Sequence, residues 1–185
     1  FVLEDTMEIT DKIAQDVMKN VMKYAKILKK GPENYEARAE IMWCGSLSHN
    51  GLTGCGTCGG DWATHLIEHE LGGMFDVAHG AGLAAVWGSW ARYVMDEKPE
   101  RFAQFAVDVM GVEESDDVKS TALKGIEAVE EFYRMIEMPT NMKELGINPT
   151  DEQIKDMAMK ATNHDTQQLG AFKKLSAKDL VEIYK

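Results

Sequence analysis

Three of the five histidines in the chain lie within one short segment, at His65, His69 and His79. His65 and His69 are four residues apart, so on a helix they share one face. His79 follows a break in the helical pattern and opens the next helix, and a helix–turn–helix of this length can return it to the face of the first. Neutral imidazoles that converge from two elements suit a first-row divalent metal ion. The spacing therefore predicts a metal site.

The histidine segment is not the zinc-protease signature H-E-x-x-H, because Leu66 rather than a glutamate follows His65. The three histidines supply at most three ligands, whereas a mononuclear site needs a further protein ligand or an open position for substrate. The neighbouring acids Glu68 and Asp76 are either hydrogen-bonding partners of the imidazoles or solvated acids, and the pattern favours neither interpretation.

The elements that must position these residues are helices, because apolar residues recur at the 3.6-residue period and no alternating run indicates a strand. The predicted helices span about 4–30, 34–49, 61–74, 79–95, 99–110, 116–138, 150–163 and 176–185. Small residues crowd the helix that starts at His79, which predicts the most buried helix. Met42 and Leu123 are among the apolar residues expected to face the core. We predict an all-α fold, with one multi-helix domain over residues 1–185.

The composition argues against several classes of function. The net charge of −11 repels phosphate backbones and anionic lipids, so neither nucleic acid nor membrane is an expected partner. No apolar run approaches the ~18 residues that a membrane span needs. The stretch from Phe1 to Thr6 has no basic start followed by an apolar run, so no signal peptide is predicted. Because the chain does not begin with Met, we expect it to be cut from a longer polypeptide.

Three cysteines, an odd number without a secretory signal, favour a reducing cytoplasm. Cys55 and Cys58 have the C-x-x-C spacing of redox and zinc motifs, but they sit in a glycine-rich stretch with no second such pair. We interpret them as an ordinary pair of loop residues, with a metal site or a labile disulfide as the alternatives.

The run from His65 to Gly80, with Ala81–Ala84 after it, resembles the signature of the iron-containing alcohol dehydrogenase family. Upstream, the segments Pro32–Trp43 and Leu47–Asn50 resemble its butanol-dehydrogenase branch, so the resemblance covers essentially the whole chain. It implies the C-terminal helical domain of such an enzyme, with the dehydroquinate-synthase-like helical fold. The N-terminal nucleotide-binding domain of that family is absent from these residues.

The resemblance also implies roles for the three histidines. His65 and His79 match two metal ligands, whose ring nitrogens must both reach one ion at ~2.0–2.1 Å. His69 matches a catalytic histidine near the nicotinamide that is proposed to relay protons. The other two ligands, an Asp and a His four residues apart, belong to a helix before the start of this chain. The implied cofactors are Fe²⁺ or Zn²⁺, and NAD(P) bound mainly by the missing N-terminal domain.

The implied reaction is NAD(P)-linked oxidation of a small primary alcohol or reduction of an aldehyde. In it the metal acts as a Lewis acid on the substrate oxygen, and His69 moves the hydroxyl proton towards solvent. Trp62, Phe75 and Trp87 either line an apolar substrate pocket or belong to the core, and the pattern favours the core. The expected partners are the N-terminal domain of the same enzyme and, because dimers are common in the family, a second copy. The isolated chain is expected to be inactive.

Two other functions are alternatives to this one. The first is a stand-alone helical interaction or regulatory module, derived from the same domain and without catalysis. The second is a related metal enzyme, such as a dehydroquinate-synthase-like lyase. That enzyme is disfavoured because no cluster of Lys and Arg accompanies the histidines to bind a polyanionic substrate.

Overall fold

The fold is helical throughout the residues that the computed structural model describes, which are 1–4 and 7–185. Within them the chain forms eight α-helices and no strand, with one isolated antiparallel bridge between Leu169 and Leu175. The prediction of an all-α fold is confirmed. The helices are α1 (Glu8–Lys30), α2 (Tyr35–His49), α3 (Ala63–Phe75), α4 (His79–Val94), α5 (Pro99–Asp108), α6 (Val118–Met135), α7 (Asp151–Ala161) and α8 (Ala177–Tyr184). Among the described residues, no helix has the length and apolar content that crossing a membrane requires.

Side-chain caps explain why several helices begin where the sequence predicts. The Asn34 side chain accepts a hydrogen bond from the first turn of α2, and Thr150 and Ser176 form capping boxes that start α7 and α8. Helix α1 begins at Glu8, four residues later than predicted. Asp5 and Thr6, which belong to the predicted stretch, lie outside the described residues.

The chain divides into two compact units. The first contains Phe1, Asp61–Lys98 and Glu137–Lys185, and therefore α3, α4, α7 and α8. The second contains Val2–Gly60, of which Asp5 and Thr6 are not described, and Pro99–Ile136, and therefore α1, α2, α5 and α6. The single domain over residues 1–185 stays a prediction.

Helix α4 has more buried residues than any other described helix, which agrees with the prediction from its small residues that it is the most buried. Its buried residues are Gly82, Ala84, Ala85, Val86, Gly88, Trp90, Ala91 and Val94. Helix α3 packs against α4 and α7 and buries Ile67 and Leu71 completely. The Tyr184 hydroxyl of α8 donates a 2.6 Å hydrogen bond to the Ile67 carbonyl oxygen, which ties α8 to the same helix. Burial, together with the negative charges of Glu70 and Glu68, raises the pKa of Tyr184.

Asp61 fixes the start of α3. One carboxylate oxygen accepts from the Ala63 amide at 2.8 Å, and the other accepts from the amides of Ala171 and Phe172 at 2.8 and 2.7 Å. Hydrogen bonds to a charged acceptor are the stronger kind, so three of them anchor the histidine-bearing helix to the segment before α8. Gly170 precedes that segment at φ +90°, and a Cβ there would lie 2.3 Å from the Lys173 carbonyl oxygen.

In the second unit α5 packs closely on α6. A Cβ added at Gly125 would lie 2.4 Å from the Cβ of Ala106, so the crossing requires a glycine. Two core predictions are wrong here. Met42 is 74% exposed, because the buried positions of α2 are Ala37 and Cys44, and Met42 points about 140° away from Ala37 around a helix of 3.6 residues per turn. Leu123 is 38% exposed, because it lies at the edge of the buried face of α6.

A bidentate ion pair joins α1 to α5. The Arg101 guanidinium donates to both carboxylate oxygens of Asp11, at 2.5 and 2.8 Å, and both side chains are largely buried. The hydrogen bonds from Arg101 hold the pKa of Asp11 below its usual value. Because the pKa is lowered in the folded state, the pair stabilises the chain above about pH 4 and loses this contribution as the pH falls through the lowered pKa.

We predict that Arg101→Gln lowers the free energy of unfolding by about 1–3 kcal/mol at pH 7, the usual size for hydrogen bonds to a charged group. The difference from the wild type should shrink below about pH 4. Urea denaturation at pH 7 and below about pH 4 measures the two free energies of unfolding. As a control, Lys12→Gln breaks the exposed pair with Glu8, which solvent screens, and should lower the free energy of unfolding clearly less than Arg101→Gln does. Equal losses for the two variants would contradict the prediction.

Candidate metal and proton-transfer site

The connection between α3 and α4 brings His79 back towards the histidines of α3. Helix α3 ends at Phe75. Asp76 follows it in the left-handed conformation, at φ 51°, and donates its backbone N–H to the Gly72 carbonyl oxygen at 2.9 Å. After Val77, the Ala78 carbonyl oxygen accepts from the Gly82 amide at 2.9 Å and begins α4. This short reversal leaves His79 as the first residue of α4.

The three imidazoles form a group around His79. The ring centroids of His65 and His79 are 5.5 Å apart, and those of His69 and His79 are also 5.5 Å apart. Half of the His79 side chain is exposed, at 51%, and His69 is exposed as well. The predicted convergence of histidines from two helices therefore occurs within the first unit, on a face that a second component can reach.

Glu68 lies beneath this group and is 2% exposed. Its carboxylate oxygen Oε2 is hydrogen-bonded to Nδ1 of His79. Two glycines leave the space that the carboxylate fills. A Cβ added at Gly82 would lie 2.5 Å from Oε1 and 2.7 Å from Cγ of Glu68, and one added at Gly72 would lie 3.0 Å from Oε1. The glycines of α3 and α4 thus form a slot for one acidic side chain, which we call the Glu68 slot.

The donor atoms are close enough to share an ion. A carboxylate oxygen of Glu68 and ring nitrogens of His69 and His79 all lie within 4.8 Å of one another. Imidazole nitrogens with a carboxylate oxygen are a donor set that suits Fe²⁺ and Zn²⁺ alike. The assignment of His65 and His79 as the metal ligands, and of His69 as the proton relay, stays a prediction.

The sequence left the role of Glu68 open, and the structure gives it a buried position against His79. The signal that indicates this position is a glycine one helical turn later, at Gly72, combined with a glycine in the first turn of the next helix, at Gly82. Asp76, the other acid that the sequence left open, is exposed at the end of α3.

The aromatic residues near the histidines divide between surface and interior. Trp62 is 55% exposed, so the interpretation of this residue as core is wrong. Its ring lies edge-on to His65, with the centroids 4.8 Å apart. Phe75 and Trp87 are each partly buried. An exposed indole beside an imidazole can contact an apolar ligand from the solvent side.

The three cysteines belong to the second unit. All three are free, with Cys44 buried and both Cys55 and Cys58 exposed. Burial raises the pKa of the Cys44 thiol, which disfavours its reactive thiolate. The Cys55 carbonyl oxygen accepts from the Thr10 hydroxyl at 3.0 Å, and the Cys58 amide donates to the Glu4 carboxylate at 2.9 Å. These contacts agree with the interpretation of an ordinary loop.

Comparison with known proteins gives matches along the whole chain. The sequence profile of the Fe-containing alcohol dehydrogenase family, C-terminal region, matches residues 1–185. The chain is 31% identical over 178 residues to NADH-dependent butanol dehydrogenase A of Clostridium acetobutylicum, covering 96% of this chain and 45% of that protein. It is 32% identical over 164 residues to the NADPH-dependent aldehyde reductase YqhD of Escherichia coli, covering 88% of this chain and 41% of that protein. The chain thus spans about half the length of the curated relatives it matches.

Solved structures agree with the sequence matches. The crystal structure of NADH-dependent butanol dehydrogenase A from Thermotoga maritima superimposes with a TM-score of 0.87 at 34% identity, covering 96% of this chain and 45% of that one. The substrate- and cofactor-free form of the E. coli aldehyde reductase superimposes with a TM-score of 0.89 at 28% identity, covering 98% of this chain and 47% of that one. With the family profile matched over every residue, the chain belongs to the iron-containing alcohol dehydrogenase family and corresponds to its C-terminal region.

Proposed function

We propose that this chain supplies part of the metal site and of the substrate cleft of a metal-dependent, NAD(P)-linked alcohol dehydrogenase or aldehyde reductase. The observation that carries the proposal is the grouping of three imidazoles from α3 and α4 over one buried carboxylate. The names of its relatives, which include butanol dehydrogenases and an aldehyde reductase, support a small primary alcohol or aldehyde as the substrate.

In this proposal His65 and His79 hold a divalent ion, Fe²⁺ or Zn²⁺. The chemistry of the donors fits such an ion, because neutral imidazoles from two helices face a common region and a buried carboxylate lies behind one of them. The remaining ligands, an Asp and a His, come from the helix that precedes this chain in the complete enzyme, beyond which lies the N-terminal nucleotide-binding domain. That domain binds most of the NAD(P), which agrees with the chain spanning about half of its relatives.

When bound, the metal supplies Lewis-acid polarisation of the alcohol or aldehyde oxygen. Three residues of this chain have further roles in the reaction. His69 lies one helical turn from His65 and is exposed, so its ring can pass the hydroxyl proton from the substrate to solvent. Trp62 offers an exposed apolar surface beside His65, where the carbon chain of a small alcohol can lie. Glu68 keeps the base of the site closed to water by filling its slot.

The proposed partners are the N-terminal nucleotide-binding domain of the same enzyme and a second copy in a homodimer. We also propose the cytoplasm as its location, which agrees with three free cysteines. Neither nucleic acid nor membrane is a proposed partner. The net charge of −11 opposes contact with either kind of anionic surface.

A second candidate is a helical interaction module without catalysis. It is favoured by one face of α2, where Tyr35 and Met42, seven residues apart, are 81% and 74% exposed, and Trp43 beside them is 61% exposed. Large exposed apolar residues in a group are typical of contact surfaces. This face is also compatible with the enzyme, so metal binding separates the two candidates.

We predict that the 185-residue chain alone binds metal weakly and forms no NAD(P)H from an alcohol. Two protein ligands leave most of the coordination shell to water, and the nicotinamide has no binding domain. Fusing the N-terminal segment, which contains the nucleotide-binding domain and the helix with the Asp and His, should restore metal affinity and alcohol oxidation together. Competition titration with Zn²⁺ and the absorbance of NAD(P)H measure both. Alcohol-dependent NAD(P)H formation by the bare chain would refute the incomplete-site interpretation.

In the restored protein, we expect His65→Ala and His79→Ala each to reduce metal affinity by more than the roughly 10–100-fold that loss of an outer-shell partner costs. Activity should fall with the metal. His69→Ala should retain metal but lower kcat by roughly 100-fold, the lower range for loss of an acid–base group. His49→Ala is the matched control, because His49 is an exposed histidine of α2. Full activity in a His65→Ala, His79→Ala double variant would exclude the proposed ligands.

A further inference from the structure

We propose that Glu68 is a positioning residue, which holds His79 in the tautomer with its proton on Nδ1 and its lone pair on Nε2. The tautomer is a property of this chain by itself. Its consequence, that Nε2 is presented to a metal ion in a fixed orientation, rests on the proposed function. The reasoning begins with the burial of one carboxylate.

A carboxylate that is 2% exposed must be hydrogen-bonded, because an unpaired charge in the interior is costly. Glu68 satisfies this requirement through Nδ1 of His79. An ionised carboxylate can accept but cannot donate, so the proton of this hydrogen bond belongs to the imidazole nitrogen. In a neutral imidazole, a proton on Nδ1 leaves Nε2 as the nitrogen with the free lone pair. The contact therefore selects the tautomer.

The slot keeps the carboxylate from moving away. Oε1 is the atom that an added Cβ would meet first at both Gly72 and Gly82, at 3.0 and 2.5 Å, so backbone of α3 and α4 closes on that side of the carboxylate. Oε2 is engaged with His79. Oε1 is thus enclosed by the two glycines and Oε2 is hydrogen-bonded to His79, which favours an orienting role for Glu68 over direct binding of a metal. By contrast, half of the His79 side chain remains open to solvent and available to a ligand.

This arrangement has the chemistry of a carboxylate–histidine pair behind a metal site. Such a pair fixes the orientation of the ring and raises the basicity of the coordinating nitrogen. Here Glu68 lies within α3 and His79 is the first residue of α4. The carboxylate therefore orients a ring that would otherwise be free to rotate at the helix end.

The first experiment measures the His79 tautomer in the metal-free 185-residue chain by long-range ¹H–¹⁵N NMR, with the signals assigned by their loss in His79→Gln. In the wild type we expect a protonated Nδ1 and an unprotonated Nε2. Glu68→Met keeps the bulk but removes the acceptor, and should shift His79 towards a mixture of tautomers. Glu68→Gln, whose amide oxygen can still accept, should largely restore the wild-type signals. Glu70→Met, the same change two residues along α3, should leave His79 unchanged.

A second pair of variants disturbs the slot without removing the carboxylate. Gly82→Ala places a methyl group where Glu68 lies and should alter the His79 signals in the same direction as Glu68→Met. Gly73→Ala is the control, because a Cβ there meets nothing within 4 Å. Circular dichroism verifies the helical fold of each variant. A wild-type His79 protonated on Nε2 instead of Nδ1 would overturn the proposal without any variant.

The metal itself is tested separately, with Zn²⁺ and Fe²⁺ alone as the probes and with the N-terminal domain restored. Glu68→Met should weaken binding by roughly 10–100-fold while Glu70→Met does not. If the wild type has the expected tautomer but binds neither ion, the proposed function fails and the assignment of the tautomer to Glu68 stands. If the wild type binds metal and Glu68→Met changes neither the tautomer nor the affinity, the inference about Glu68 is wrong and the proposed function stands.

Discussion

The feature on which the first unit depends is the burial of one negative charge between α3 and α4. A carboxylate in the interior must be paired, and Glu68 is paired with His79, the first residue of α4. This pairing ties the start of α4 to α3. The same carboxylate limits which neighbours are tolerated, because a methyl group at Gly82 would collide with it and one at Gly72 would lie only 3.0 Å from Oε1. Glu68 therefore both packs between the two helices and positions His79.

Other interactions of the first unit restrain the backbone of α3 around Glu68. Asp61 gathers three backbone amides at the start of α3, and Asp76 ends the helix in a left-handed turn that reverses the chain within a few residues. The Tyr184 hydroxyl donates a hydrogen bond to the Ile67 carbonyl oxygen in the middle of α3. Because Glu68 follows Ile67 directly, the backbone around the slot is constrained at both ends and in the middle. A functional group carried on such packed helices is held more accurately than one on a loop.

Much of this could be predicted from the sequence, and the rest could not for a physical reason. Helix caps and the 3.6-residue period depend on local chemistry, so α2, α7 and α8 begin where Asn34, Thr150 and Ser176 indicate. The grouping of the histidines followed from their spacing. Burial depends on which elements pack together, and the local sequence does not determine that. The sequence therefore places Met42 in the core wrongly and allows two interpretations of Glu68. The glycines that decide the position of Glu68 lie four and fourteen residues later, and their meaning depends on the reversal at Asp76.

The distribution of exposure across the site bears on how such an enzyme would be assembled. The orienting carboxylate is enclosed by the helices of this chain, whereas His69 and half of the His79 side chain face outwards. Groups that must be fixed before the chemistry are thus provided by the fold of this chain, and groups that must meet a substrate or an ion are left at its surface. In the proposed enzyme the Asp and His of the preceding helix then join a His79 that is already oriented, so less conformational freedom is lost when the metal binds. In the proposed enzyme, this order of burial reduces the conformational cost of completing the metal site from the preceding segment.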